Sequence, residues 1–253
     1  MSGAMARVLA IALALAVALP VTRSLAQTTG APIDCTVPTD LIEDEPTLPA
    51  TAALIKARKP LVIAAIGGSS TIGTGAGGDS DAAYPHQLAL ALAKRFPGLP
   101  VTVLNKGAPR QVAQQMFNRF DRDLGDSHAT LVLWEVGVTD AVRQTDPDEF
   151  AQTLQAGIGW LHEHDMEVML IDMQYSPDTT AVINFEPYLN TLHEVGSLTQ
   201  TYVFRRYDIM KYWSDNGVFQ FTDVPMGERR ALAARVYACL GARLADAIGY
   251  ASR

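Results

Sequence analysis

Apolar residues occur along this chain in two kinds of run, and their alternation predicts the fold. Short, mostly apolar stretches read as strands, and the first of them, six apolar residues too brief for a helix, as a strand buried on both faces. They are Leu61–Ile66, Val101–Leu104, Thr130–Val136, Val168–Ile171 and Tyr202–Phe204. Between them lie longer segments with apolar positions at helical spacing. Pro85–Phe96 carries Leu88, Leu90, Leu92 and Phe96, and stops at Pro97-Gly98. Val112–Leu124, Asp146–Glu163, Asn184–Val195 and Pro225–Ile248 predict further helices, and a short one covers Thr51–Lys59. Asp146-Pro147 supplies a cap and a first-turn proline. Glycine-rich Gly73–Tyr84 is a loop.

Short strands alternating with helices form βα units, and right-handed crossovers lay the helices on both faces of a parallel sheet. The predicted fold is α/β, a three-layer sandwich around a central parallel sheet of about five strands. No repeat, low-complexity tract or linker divides residues 61–253, which are expected to form one domain. An extended segment with a short helix, residues 27–60, precedes it.

The first 26 residues stand apart. Arg7 leads into an apolar stretch from Val8 to Val21, and Ser24-Leu25-Ala26 offers the small residues of a cleavage site. This is the pattern of a signal peptide cleaved near Ala26, giving an exported protein, periplasmic or secreted. The apolar stretch is short for a spanning anchor, and no other segment approaches that length, so the mature form is expected to have no membrane span. The whole chain of 253 residues is 48% hydrophobic and 19% charged, as in globular proteins. Cleavage removes Arg7 and Arg23 and no acids, taking the formal net charge from −7 to −9. An acidic chain without a Lys/Arg-rich run is a poor match for nucleic acid. A monomer is expected.

Only two cysteines occur, Cys35 and Cys239. In an exported protein they make one disulfide or remain two separate thiols. A bridge would close a loop of about 200 residues, worth about 4 kcal/mol in the chain-entropy model. Neither has metal-ligand spacing and no His/Cys cluster exists, so no metal and no cofactor are expected.

Three strand ends carry reactive residue types: Gly67-Gly68-Ser69-Ser70-Thr71-Ile72-Gly73, Asn105-Lys106-Gly107 and Gly137-Val138-Thr139-Asp140. In a doubly wound sheet such loops share one rim, where sites are built. From Leu61 onward the chain resembles the SGNH/GDSL hydrolases, whose fold is flavodoxin-like. The first stretch matches their G-D-S-x-T-x-G block, with Gly68 where Asp usually stands. The resemblance makes Ser69 the nucleophile and its amide an oxyanion donor. The second matches N-x-G and makes Gly107 another oxyanion donor. The third matches G-x-N-D, with Thr139 in the place of the oxyanion Asn. Tyr84-Pro85 and Met173-Gln174-Tyr175-Ser176-Pro177 resemble the bacterial exported branch.

The family's D-x-x-H block, near the start of the last helix, has no complete counterpart. Asp223 in the acid position puts Met226 where His belongs; the other register puts Glu228 and Ala231 there. The last histidine is His193. His86, His128, His162, His164 and His193 read as solvated or helix-terminal residues. Ser69 also has a purely structural reading as part of a tight turn, Asp140 as a helix cap and Asp172 as a loop acid. Trp134, Trp160 and Trp213 fit core packing. The resemblance implies an ester hydrolase scaffold acting on a small-molecule or glycan ester, with catalysis impaired by loss of the His and Asn equivalents. The alternative is a non-catalytic periplasmic protein that binds glycans or assists in polysaccharide handling.

Overall fold

A five-stranded, all-parallel sheet organises this computed structural model, which describes residues 33–253. The signal peptide expected over residues 1–26 lies outside the described residues. In chain order come α1 (Pro49–Ala57), β1 (Leu61–Gly67), α2 (Tyr84–Arg95) and β2 (Val101–Gly107). Next are α3 (Ala113–Phe117), α4 (Phe120–Leu124), β3 (Leu131–Glu135), α5 (Val138–Arg143) and α6 (Pro147–Glu163). The chain closes with β4 (Glu167–Ile171), α7 (Pro177–Thr180), α8 (Glu186–Thr199), β5 (Tyr202–Phe204), α9 (Arg206–Asp215) and α10 (Arg229–Ala251).

The strand order is β2-β1-β3-β4-β5. From β1 the chain crosses one way to β2 and then back past β1 to β3, which leaves a switch point between β1 and β3. Strands β1, β3, β4 and β5 read as nearly continuous apolar runs because alternate residues enter two different cores, whereas the edge strand β2 is only partly buried. Leu61, Ile63, Leu131, Leu133, Met169 and Phe204 pack with α2, α9 and α10. Ala64, Ile66, Val132, Trp134, Leu170 and Val203 pack with α3, α4, α6 and α8. The expected three-layer sandwich is thus present, with a buried sheet at its centre.

Residues 33–253 form one compact unit. Within it, the segment ahead of β1 packs Ile33, Val37 and Ile42 against the first core. Cys35 and Cys239 form a disulfide, with Cα atoms 5.4 Å apart, which fastens this segment to the middle of α10. Of the two cysteine alternatives, the bridge is the one present.

Several helices take their N-terminal caps from distant carboxylates. The Glu167 carboxylate accepts the amides of Ala50 and Thr51, at 2.6 and 2.9 Å, at the start of α1. Asp140 accepts the Ala113 amide at 3.1 Å, opening α3. Asp172 accepts the Tyr207 amide at 2.8 Å in the first turn of α9. The helix-cap reading of Asp140 therefore holds, but the helix it caps is not its own. In α6 the cap is local instead, with Asp146 accepting the Asp148 amide at 2.8 Å ahead of Pro147.

Local differences from the expected elements have local causes. The helix expected over Val112–Leu124 is two short ones, α3 and α4. The chain bends at Asn118-Arg119, where buried Arg119 reaches Gln111 at 2.8 Å and pairs with Asp123. Helices α5, α7 and α9 are additional. In α9 only Ile209, Met210 and Trp213 bury a hydrophobic face among polar neighbours, which leaves a weak periodic signal. The closing helix begins at Arg229, after an exposed turn over 223–228.

Candidate active site

At the switch point, the turn after β1 meets the turn after β3. Gly67 and Gly107 lie side by side at the ends of β1 and β2, and both positions need a missing side chain. A Cβ at Gly67 would strike Thr71 and Glu135, and one at Gly107 would lie 2.5 Å from the Ile72 amide nitrogen. The turn between them is wound tightly, with the Ile72 amide donating to the Gly68 carbonyl and the Thr74 amide to the Ser69 carbonyl. Asn105 braces it by donating from Nδ2 to the Thr71 carbonyl at 2.7 Å.

Beneath this turn lies a buried polar network that joins Ser70 and Thr71 of the first motif to two charged residues the motifs did not include. Glu135, the last residue of β3, is 4% exposed, and Arg206, the first of α9, is 1% exposed. Arg206 Nη2 lies 3.2 Å from Glu135 Oε1. Ser70 Oγ donates to that same oxygen at 2.5 Å and accepts from Arg206 Nη1 at 2.9 Å. Thr71 donates to Glu135 Oε2 and sits 3.1 Å from the Tyr84 hydroxyl. Burial, and then the nearby Glu135 charge, push the Tyr84 phenol far above its ordinary pKa, so it stays neutral. The sequence did hold a signal for this network. Glu135 is the one charge in an apolar strand, and a charge buried there demands a partner.

A cavity of about 190 Å³ opens above the network, walled by Ser69, Ser70, Glu135, Thr139, Gln174 and Tyr237 among others. Ser69 and Thr139 are thus brought together. Gly107 is not in this wall, and its amide, expected as an oxyanion donor, is engaged by Asn105 Oδ1 at 2.9 Å. Burial raises the pKa of the Tyr237 phenol, with the Glu135 charge adding to the effect.

The acid/base candidates lie elsewhere. Asp223, Glu228 and Ala231 wall a different cavity, of about 460 Å³, that contains none of the Ser69 turn. Met226 is 84% exposed. None of the five histidines bonds to Ser69. His164 stacks on Trp160 and its Nδ1 lies 2.7 Å from the Trp160 carbonyl, while His86 faces Asp81 at 3.9 Å. His162 is in the last turn of α6, and His128 takes a left-handed turn ahead of β3. His193 departs from the solvated reading, because its Nε2 is 3.4 Å from Asp172 Oδ2. Burial raises the Asp172 pKa, and the His193 and Tyr207 contacts hold it down. Burial likewise raises Asp140, opposed by the Ala113 amide. Trp134 and Trp213 are fully buried, as core packing requires.

Comparison with known proteins agrees with this architecture. The sequence pattern of the Non-GDSL lipase-like family matches residues 34–253. Among solved structures, LAE5, an alpha/beta hydrolase enzyme from the metagenome of Lake Arreo in Spain, superposes with a TM-score of 0.59 at 18% identity, covering 75% of this chain and 95% of that one. A catalytic mutant of Axe2, an acetylxylan esterase from Geobacillus stearothermophilus, gives 0.58 at 17% identity, with 75% and 94% covered. TesA gives 0.55 at 18% identity over 71% and 97%. At such identities the likeness is one of fold. No curated protein matches the chain.

Proposed function

The chain belongs to the Non-GDSL lipase-like family, and from that premise we propose an exported protein that holds acyl esters, including acetyl esters of carbohydrate, in the cavity around Ser69 and hydrolyses them feebly. The observation that carries this reading is the isolation of the Ser69 hydroxyl. A serine is a weak nucleophile until a neighbouring base takes its proton. Among the described residues no imidazole bonds to Ser69, and Glu135, the carboxylate in the cavity wall, is committed to Ser70, Thr71 and Arg206.

Magnitudes set the expected scale. In serine proteases, disabling the nucleophile–base unit costs about a factor of a million in turnover. Loss of one side-chain oxyanion donor costs roughly 100- to 1000-fold, and Thr139 is a shorter, branched replacement for that donor. The Ser69 amide still offers a hydrogen bond to a bound carbonyl, which favours binding over turnover. The likeness to an acetylxylan esterase fold and the neutral polar side chains in the wall support a carbohydrate ester as ligand. The apolar N-terminal stretch and the disulfide support export.

The test is hydrolysis of p-nitrophenyl acetate and butyrate by the purified mature protein beside Ser69→Ala. The expected result is a wild-type rate within roughly tenfold of the variant. A wild-type rate more than about a thousandfold above it would sink the impaired reading and reveal a working base. The alternative, a purely glycan-binding protein, is favoured by the joint replacement of the His and Asn equivalents. It predicts a raised Tm with acetylated oligosaccharides and no turnover by either protein.

A further inference from the structure

The turn after β1 carries two neighbouring hydroxyls, Ser69 and Ser70, and among the described residues only the second donates to a carboxylate. Ser70 Oγ donates to Glu135 Oε1 at 2.5 Å and accepts from Arg206 Nη1 at 2.9 Å. A hydroxyl has one proton and two lone pairs. The proton and one lone pair are engaged, and among the described residues no donor takes the second. Glu135 is oriented in its turn by Thr71, which donates to Oε2. Ser70 and Glu135 are both buried, so water weakens their interaction little. Arg206 makes its one side-chain hydrogen bond among the described residues to Ser70, while its Nε and Nη2 are buried without a hydrogen-bond partner. A cation so placed favours negative charge on the Ser70 oxygen. Nucleophile, base and orienting group thus stand in the order that an activated serine requires. Ser70 and Glu135 also share the wall of the cavity of about 190 Å³ with Ser69. Among the described residues the Ser69 and Ser70 amides donate to no carbonyl, which leaves two N–H groups of this turn for an ester oxygen.

We propose that Ser70, with Glu135 as its general base, is the nucleophile of the residual ester hydrolysis in this cavity. Glu135 takes the Ser70 proton as Oγ bonds to the ester carbonyl carbon. The carbon–alkoxy bond then breaks, and Glu135 returns the proton to the departing alcohol. In the second half Glu135 takes a proton from water, whose oxygen attacks the acyl group. The bond to Ser70 breaks, Oγ recovers the proton from Glu135, and a carboxylic acid leaves. Only ester and water are consumed. The carboxylate withheld from Ser69 is in this way the partner of its neighbour. In their ordinary states a carboxylate is a weaker base than an imidazole by about two pKa units, which keeps turnover low. The proposal rests on the reading of the cavity as an ester site and changes which hydroxyl reacts.

Covalent labelling of the purified mature protein tests this without any variant. Diisopropyl fluorophosphate bonds to a reactive serine oxygen as fluoride leaves, and tandem mass spectrometry of the labelled peptide tells Ser69 from Ser70. The adduct is expected on Ser70. Hydrolysis of p-nitrophenyl acetate by Ser69→Ala is expected to fall at least about tenfold when Ser70→Ala or Glu135→Gln is added, a bound set below the roughly 100-fold that a positioned base supplies. An adduct on Ser69, an adduct on neither serine, or a fall of less than tenfold with Ser70→Ala would overturn the proposal. Because labelling needs no substitution, a variant that fails to fold does not decide the matter. Failure here and failure of the ester reading are distinct results. A Tm raised by acetylated oligosaccharides with neither serine labelled removes the Ser70–Glu135 pair and keeps the ester cavity. Ser70 labelled with no Tm shift from any acetylated oligosaccharide keeps the pair and removes the carbohydrate ester.

Discussion

The turn after β1 and the entrance to α10 are the two places where the resemblance to the SGNH/GDSL hydrolases would put reactive groups, and this fold treats them in opposite ways. Around the first, Ser70, Thr71, Glu135 and Arg206 are all buried and hydrogen-bonded to one another. Around the second, Asp223 sits in a left-handed turn, and the residues from Pro225 to Glu228 are exposed. The difference is one of double duty. A buried charge network stabilises the fold as well as the site, so a change within it strands an uncompensated charge. A side chain in an exposed loop contributes almost nothing to folding. A surface histidine there would serve chemistry alone, and its absence leaves the scaffold undisturbed.

The sharpest way to break this contrast is to cut the network. Arg206→Met leaves the Glu135 carboxylate buried beside hydroxyls only, and is expected to cost about 3–5 kcal/mol in urea unfolding. Adding Glu135→Leu removes the orphaned charge and should recover part of that loss. A single-variant cost below about 1 kcal/mol would show that the pair is not the support of the Ser69 turn.

A smaller effect is expected at the disulfide, which anchors the middle of α10 while its entrance stays free. Replacing both Cys35 and Cys239 by alanine is expected to cost about 2–4 kcal/mol. Because Cys239 lies on the core side of the helix and the Ser69 turn hangs from β1, ligand-induced shifts of Tm should persist in the double variant. Loss of ligand response along with stability would mean that the two regions are coupled through α10.

The same contrast explains what the sequence made legible. Strands β1, β3, β4 and β5 were readable because burial on both faces keeps most of their positions apolar, and Tyr202–Phe204 was placed to the residue. The rim carrying Ser69 and Thr139 followed from strand ends alone. Helix α9 was not readable, since three buried residues on one face give little period and its cap, Asp172, is 35 positions away along the chain. The network was missed for a related reason. Glu135 and Arg206 meet only through the fold, and nothing in their local sequence names the partner. The placement of Asp223 and Glu228 was equally beyond reach, because an exposed turn carries no hydrophobic pattern to fix its direction.

The smallest expected effect sharpens the comparison most. If the entrance to α10 had merely lost its imidazole, restoring one would restore catalysis. The geometry argues otherwise. A general base works within about 2.6–3.2 Å of the proton it takes, or through one water. Met226 faces solvent, and Ala231 walls a cavity that Ser69 does not share. Met226→His and Ala231→His are therefore each expected to change p-nitrophenyl acetate hydrolysis by less than about threefold, with no new pH dependence near the ordinary histidine pKa of about 6.5. A gain of about a hundredfold in either variant, titrating in that range and abolished by Ser69→Ala, would mean that the 223–228 turn swings over the cavity when ester is bound. The entrance would then be a mobile half of an intact site rather than a separate surface.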